Sequence, residues 1–247
     1  MTKFHLATAW PLLTMLCLVA APAAAESEYR HPTAVLPFAT TKPTIDGKVT
    51  DAEWRHAFSQ RALQTTGKHV SGRQARFWMM WDQEHLYVAM RDPLRPGERP
   101  IQQHRGGDRD LDIIMDDCFE IWVSVGATDP LTGQPNCSTQ FLANFAGGIF
   151  DALHQPAVGN SRSSSYDTGW KPVSRINEHN EWEMELVIPR ESLGRMDKPF
   201  HEGMTLRSLV ARNYKRPWEQ NSFEGTSTFA VVDTHTRFIL SKTAPAQ

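Results

Sequence analysis

The chain has 247 residues, enough for one large domain or two small ones, and a hydrophobic content of 40% supplies the material for a core. Charged residues at 22% exclude wholesale disorder. A formal net charge of −2 without any basic tract argues against nucleic acid and anionic membrane as partners.

The first 25 residues read as an export leader. Lys3 gives a positive start, Leu12 to Val19 is an apolar run too short to span a bilayer, and Ala23-Ala24-Ala25 offers a small-residue cleavage site before Glu26. Cleavage removes Lys3 and no acid, which takes the formal charge from −2 to −3. Cys17 follows Leu16, where a bacterial lipoprotein signal needs a small residue. The expectation is therefore a periplasmic or secreted protein with no lipid anchor and no membrane span.

Residues 26–42, with Pro32 and Pro37, read as an extended lead-in. A single domain is expected over 43–241, with 242–247 as a tail. Asp46-Gly47 signals a turn, and Asp51 caps a short helix through Glu53, Trp54 and Ala57. Trp54 is expected to plug the domain, since large aromatic side chains mostly fill cores. Arg76 to Arg91 is the clearest hairpin: Phe77 to Trp81 leads out, Asp82 to His85 turns, and Leu86 to Met90 returns. Two polar loops follow, 93–100 and 101–117.

Phe119, Ile121, Val123 and Val125 alternate with Glu120, Trp122 and Ser124, the period of a half-buried strand. Thr139 to Phe145 repeats the pattern, with Gln140, Leu142 and Asn144 on one face. Residues 155–169 read as a loop. Trp182, Met184, Leu186 and Ile188 alternate with Glu183, Glu185 and Val187 until Pro189 ends the strand. Thr205 to Asn213 is a strand, Arg216 to Thr226 a loop holding Trp218, and Phe229 to Leu240 supplies the last strands. Many short strands and almost no helical period predict an all-β fold: a single antiparallel β-sandwich, immunoglobulin-like or jelly-roll-like, with short helical turns.

Several short blocks stand in a fixed order: Ile45-Asp46-Gly47, Glu53-Trp54, Trp81-Asp82, Leu86-Tyr87-Val88, Asp116-Asp117-Cys118-Phe119-Glu120-Ile121, Trp182-Glu183-Met184-Glu185, Ile188-Pro189, Gly203 and Arg212. Together they resemble the carbohydrate-binding module family 9 type of β-sandwich, which is related to DOMON-type domains. The resemblance runs from about Pro43 to Leu240. It implies a protein that binds a saccharide or another small ligand without transforming it, in association with polysaccharide-degrading proteins. A structural or partner-binding sandwich without sugar affinity is the competing reading, and a haem-binding DOMON-type redox domain is a further alternative.

A sugar site needs a flat aromatic ring for the apolar face of the pyranose and planar polar groups for its hydroxyls. Glu120, Trp122, Gln140, Asn144, Glu185 and Arg212 are expected on the non-core faces of neighbouring strands. By resemblance, Glu120 is the glutamate that holds a hydroxyl; the alternative is a structural salt bridge from Glu120 to Arg212. The family's pair of clamping tryptophans is absent. Ile113-Ile114-Met115-Asp116 stands at the first position, Thr234-His235-Thr236 at the second, and Leu142 where an arginine is expected. The platform is therefore expected on Trp218, with Trp122 and Trp170 as alternatives.

The run Asp108-Arg109-Asp110-Leu111-Asp112 raises a structural Ca²⁺ held by Asp108, Asp110 and Asp112. It lacks the glycine and closing glutamate of EF-hand spacing, and a solvated acidic loop is the other reading. DOMON-type haem domains use Met and His ligands. Here Met79 and Met184 sit in alternating apolar patterns, which assigns them to the core. Cleavage leaves Cys118 and Cys137, either as a disulfide permitted by export or as two separate thiols. A glycosidase pair drawn from Glu120 and Glu185 needs a set separation across a cleft. Neither a Gly-x-Ser-x-Gly elbow nor a phosphate-binding glycine loop is present, and no enzymatic activity is expected.

Overall fold

The computed structural model describes residues 32–61, 64–65, 71–109, 112–128, 135–155, 161–163, 165–194, 196, 198–224 and 229–243. Every described residue lies within one compact unit, 31–247. The expected leader, 1–25, lies outside the described residues. No helix among the described residues is long and apolar enough to cross a membrane.

In chain order the strands are β1 (Thr33–Pro37), β2 (Phe58–Arg61), β3 (Gln64–Thr65), β4 (Arg76–Trp81), β5 (His85–Pro93), β6 (Cys118–Thr128), β7 (Pro135–Asn144), β8 (Ile149–Gln155), β9 (Ser161–Ser163), β10 (Lys171–Ile176), β11 (Glu181–Pro189), β12 (Thr205–Lys215), β13 (Trp218–Ser222) and β14 (Thr236–Ser241). Among the described residues a short α-helix, α1, covers Asp51–Trp54. A nine-stranded sheet runs β1-β14-β12-β6-β7-β8-β9, with β13 pairing β12 and β3. A five-stranded sheet runs β10-β11-β5-β4-β2. β1 pairs β14 in parallel, and the other strand pairs are antiparallel. The all-β sandwich is thus the fold of the chain.

Period-2 alternation decides which side chains meet between the sheets. Phe119, Ile121, Val123 and Val125 of β6 face Trp182, Met184, Leu186 and Ile188 of β11 within one apolar cluster, together with Phe77 and Met79 of β4. Met79 and Met184 are core residues of that cluster, as their spacing predicts.

Three features differ from the sequence expectation, and the structure decides between the two readings of the cysteines. The lead-in is not loose throughout, because Thr33–Pro37 already form an edge strand on β14, so the sandwich begins before residue 43. The expected loop at 216–226 contains β13, whose five residues pair with the end of β12. The loop at 155–169 contains the short strand β9. Cys118 and Cys137 are both buried and are not bonded to each other. Cys118 lies opposite Asn144 and Cys137 opposite Val125, at opposite ends of the β6–β7 pair. Seven strand positions amount to about 23 Å, far beyond the reach of a disulfide.

A small pocket opens between the sheets at β2, walled by Phe58, Phe77, Met79, Val210 and Phe238, and Glu224 lines it. Its Oε1 accepts the Thr236 hydroxyl at 2.5 Å. Burial pushes the Glu224 carboxyl up to about 7, although the Thr236 hydrogen bond opposes the shift. A carboxyl raised in the folded state contributes stability below its unfolded value and loses it as pH rises through the folded value. Glu224→Gln is therefore expected to stabilise the protein by roughly 3 kcal/mol at about pH 8.5 and to leave it unchanged near pH 4. Urea denaturation at both pH values measures this, and an equal effect at the two would show that Glu224 does not titrate in that window.

Candidate functional site

The outer face of the nine-stranded sheet carries Glu120, Trp122, Gln140 and Asn144 of the residues singled out above. Glu120 pairs with Ala211 and Leu142, Trp122 with Leu209 and Gln140, and Cys118 with Asn213 and Asn144. Residues directly opposite share a face, so Glu120, Trp122, Gln140, Asn144 and Asn213 all leave the sheet on one side. The pairs Asn213–Gln220 and Lys215–Trp218 extend this face onto β13.

Glu120 is 3% exposed. Its Oε1 accepts Trp122 Nε1–H at 2.7 Å and Gln140 Nε2–H at 2.8 Å, and its Oε2 accepts Asn213 Nδ2–H at 2.8 Å. Burial pushes its carboxyl up, against the pull of these three donors. The network continues outward. Gln140 Oε1 lies 3.1 Å from His154 Nε2, and Asn213 Oδ1 accepts Gln220 Nε2–H at 2.9 Å. The result is a buried carboxyl group fixed in direction by one indole and two planar amides.

Among the expected aromatic platforms, only Trp218 is exposed. Trp122 is 3% exposed, with the His154 ring centred 4.6 Å away and His235 at 6.2 Å, so its faces are covered. Trp170 is buried in the core against Phe141 at 5.2 Å. Trp218 is 58% exposed, and Lys215 Nζ lies 3.9 Å from its ring centre.

Three expected site residues do other work. Asn144 donates through Nδ2 to the His104 carbonyl and Asp116 Oδ2, both at 2.7 Å, and accepts Gly148 N–H at 2.8 Å, which staples the β7–β8 turn to the loop over it. Arg212 lies opposite Phe119, not Glu120, so it points between the sheets. It is fully buried there, with Nε donating to Asp92 Oδ2 at 2.6 Å, and the expected Glu120–Arg212 pair does not form. Glu185 is on the five-stranded sheet. It accepts Trp54 Nε1–H at 2.7 Å and the Asp46 and Gly47 N–H groups at 3.1 and 2.9 Å. Burial raises its carboxyl to about 7 despite these donors. Glu120 and Glu185 leave different sheets on outward faces, so they cannot flank one glycosidic bond.

Sequence reasoning missed Asn213, Lys215 and the roles of Asp116 and Asp117. Asp116 accepts the N–H groups of Gln103 and His104 at 2.9 and 3.0 Å. Burial alone would raise its carboxyl; these donors and Asn144 hold it below the usual carboxylate range. Asp117 takes Ile101 N–H on Oδ2 and Lys215 N–H on Oδ1, tying the 101–104 loop to the end of β12. The signal for this pair was their adjacency to Glu120.

Of the expected calcium ligands, Asp110 lies outside the described residues. Asp108 Oδ2 accepts Arg105 N–H at 2.7 Å within its own turn, and Asp112 is exposed. Among the described residues no group of three or more His, Cys, Asp or Glu side chains is placed to hold a metal ion.

No protein-family model and no curated protein matches the sequence. Solved structures do share the fold. A protein of Bacteroides uniformis described as a candidate carbohydrate-binding protein superposes with a TM-score of 0.66 at 13% identity, over 86% of this chain and all of that one. A family 9 carbohydrate-binding module of Caldicellulosiruptor kristjanssonii in complex with glucose superposes with a TM-score of 0.53 at 13% identity, over 87% of this chain and 98% of that one. The same organism's module with cellotriose gives 0.53 at 14% identity, over 85% and 95%. The sandwich is thus shared with family 9 carbohydrate-binding modules at the level of the fold.

Proposed function

We propose that the protein is an exported, non-catalytic module that binds a saccharide on the outer face of its nine-stranded sheet. The observation that carries this reading is the Glu120 carboxylate, oriented by Trp122, Gln140 and Asn213, on the same face as the exposed ring of Trp218. The ring covers the apolar face of a sugar, and the amide and carboxylate groups order its hydroxyls. The glucose and cellotriose complexes of the C. kristjanssonii module, which has the same fold, support it.

One stacking ring adds roughly 0.5–1.5 kcal/mol beyond simple burial, so a single-tryptophan platform implies weak binding. The expected dissociation constant is nearer about 1 mM than 1 µM, a gap of roughly 4 kcal/mol. Titration of oligosaccharides followed by tryptophan fluorescence should show saturation in the wild type and a large loss in Trp218→Ala. Silence of the wild type across a broad glycan panel would instead favour a structural or partner-binding sandwich. That second reading draws on the closure of the network: Trp122, Gln140 and Asn144 all spend polar atoms on internal partners.

A further inference from the structure

The outer face holds a cation that this reading has not used. Lys215 ends β12, and its Nζ is shielded from solvent with no hydrogen-bond partner among the described residues. The ammonium lies 3.9 Å from the centre of the Trp218 ring. The carboxylates around it are committed elsewhere. Asp117 takes the backbone N–H groups of Lys215 and Ile101. Asp116 takes those of Gln103 and His104 and the Asn144 amide. Glu120 takes Trp122, Gln140 and Asn213. All three act on Lys215 through space.

An ammonium has three N–H donors and is costly to shield from water with none of them used. The cation–π contact with Trp218 offsets that cost only in part. What the site lacks is an oxygen acceptor, and the aromatic ring that rests 3.9 Å from the ammonium is itself 58% exposed. So lightly packed a ring is easily displaced.

We propose that Lys215 is the cation that hydrogen-bonds the ligand, and that Trp218 is a flap resting on it in the free protein. A ligand oxygen reaches Nζ as the ring moves aside and stacks on the sugar. The acids set the class of ligand. Asp116, held below the usual carboxylate range, and Asp117, which takes the Lys215 N–H, outnumber the single ammonium, so a uronic or sulfated sugar is repelled and the hydroxyls of an uncharged sugar are accepted. This inference rests on the saccharide reading and adds to it the residue that reads the oxygen.

The test uses the full-length protein with Lys215→Met, which keeps the stem and removes the charge, and Lys215→Arg, which keeps a cation. Thermal melting and far-UV circular dichroism establish that both variants fold. Calorimetric titration then uses neutral cello-, xylo- and manno-oligosaccharides and, in parallel, oligogalacturonates. The expected result is binding of a neutral oligomer, no binding of the acidic one, and a loss of affinity on the order of tenfold or more in Lys215→Met, corresponding to about 1.4 kcal/mol. Lys215→Arg should retain most of the affinity. Wild-type affinity in a folded Lys215→Met, or acidic oligomers binding as well as neutral ones, would overturn the inference while leaving the saccharide reading in place. A wild type that binds neither class removes the saccharide reading and this inference with it.

Discussion

Arg212→Met should cost about 3–5 kcal/mol, because it strands a fully buried carboxylate. Asp92 and Arg212 are both completely buried between the sheets, joined by the Nε–Oδ2 hydrogen bond at 2.6 Å. Tyr214 adds its hydroxyl to Asp92 Oδ2 and its ring to the Arg212 guanidinium. Burial pushes both partners toward neutrality, Asp92 up to about 6 and Arg212 down to about 9, and each holds the other back from going further. Removing the guanidinium lets the Asp92 carboxyl rise further above its unfolded value. Stability held by a raised carboxyl is lost as pH increases, so the variant should suffer more at about pH 8 than at about pH 5. The double variant Asp92→Leu with Arg212→Met should recover most of the loss, since a buried pair replaced by apolar groups is often neutral or better. Urea denaturation of the three variants gives the cycle. A double variant as unstable as Arg212→Met alone would mean that the arginine stem and the Tyr214 contact, not the charge, hold this end of the sandwich.

The same residue shows where the sequence is legible and where it is not. β6 and β11 alternate cleanly between apolar and polar, and their inward faces can be read directly from Phe119 to Val125 and from Trp182 to Ile188. β12 cannot be read that way. Leu206 and Val210 face inward, while Leu209 and Ala211 face outward under Phe229, so both phases are apolar. With period 2, choosing the wrong phase moves a side chain to the other face of the sheet. That is how Arg212 came to be expected beside Glu120 when Asn213 is the residue that donates to it. Glu185 was misplaced for a different reason. Its alternation correctly put it on an outer face, but strand order assigns β11 to the other sheet, and strand order is a long-range property that local pattern does not carry. Trp218 reads as a loop residue because it stands in a polar stretch beside Arg216, Glu219, Gln220 and Asn221. The short β13 is held by pairing with β12, not by its own composition.

Trp54→Ala is expected to destabilise the protein by about 3–5 kcal/mol, the range for truncating a buried aromatic. Trp54 ends α1, is 1% exposed, and packs with Val49, Trp78, Met80, Tyr87 and Ala89 on the outer face of the five-stranded sheet. Thr50, not Asp51, occupies the N-cap position of this helix, and Glu53 accepts the Thr50 hydroxyl at 2.8 Å and Thr44 N–H at 3.0 Å. A four-residue helix cannot stand on its own hydrogen bonds, so its position is set by the indole. The indole is fixed in turn by the 2.7 Å bond to Glu185, whose other oxygen holds the Asp46-Gly47 turn. Trp54→Phe separates the two contributions. It keeps most of the apolar area but leaves Glu185 one donor short, at a cost of roughly 1–3 kcal/mol. Losing that donor raises the Glu185 carboxyl above about 7, so the deficit of the Phe variant should widen from about pH 5 to pH 8. Thermal and urea unfolding measure both variants. Because α1 covers the five-stranded sheet while Glu120 and Trp218 belong to the nine-stranded one, any saccharide affinity should survive in whatever fraction of the protein remains folded. A Trp54→Ala protein that unfolds like the wild type yet no longer answers to sugar would move the binding site to the opposite side of the sandwich.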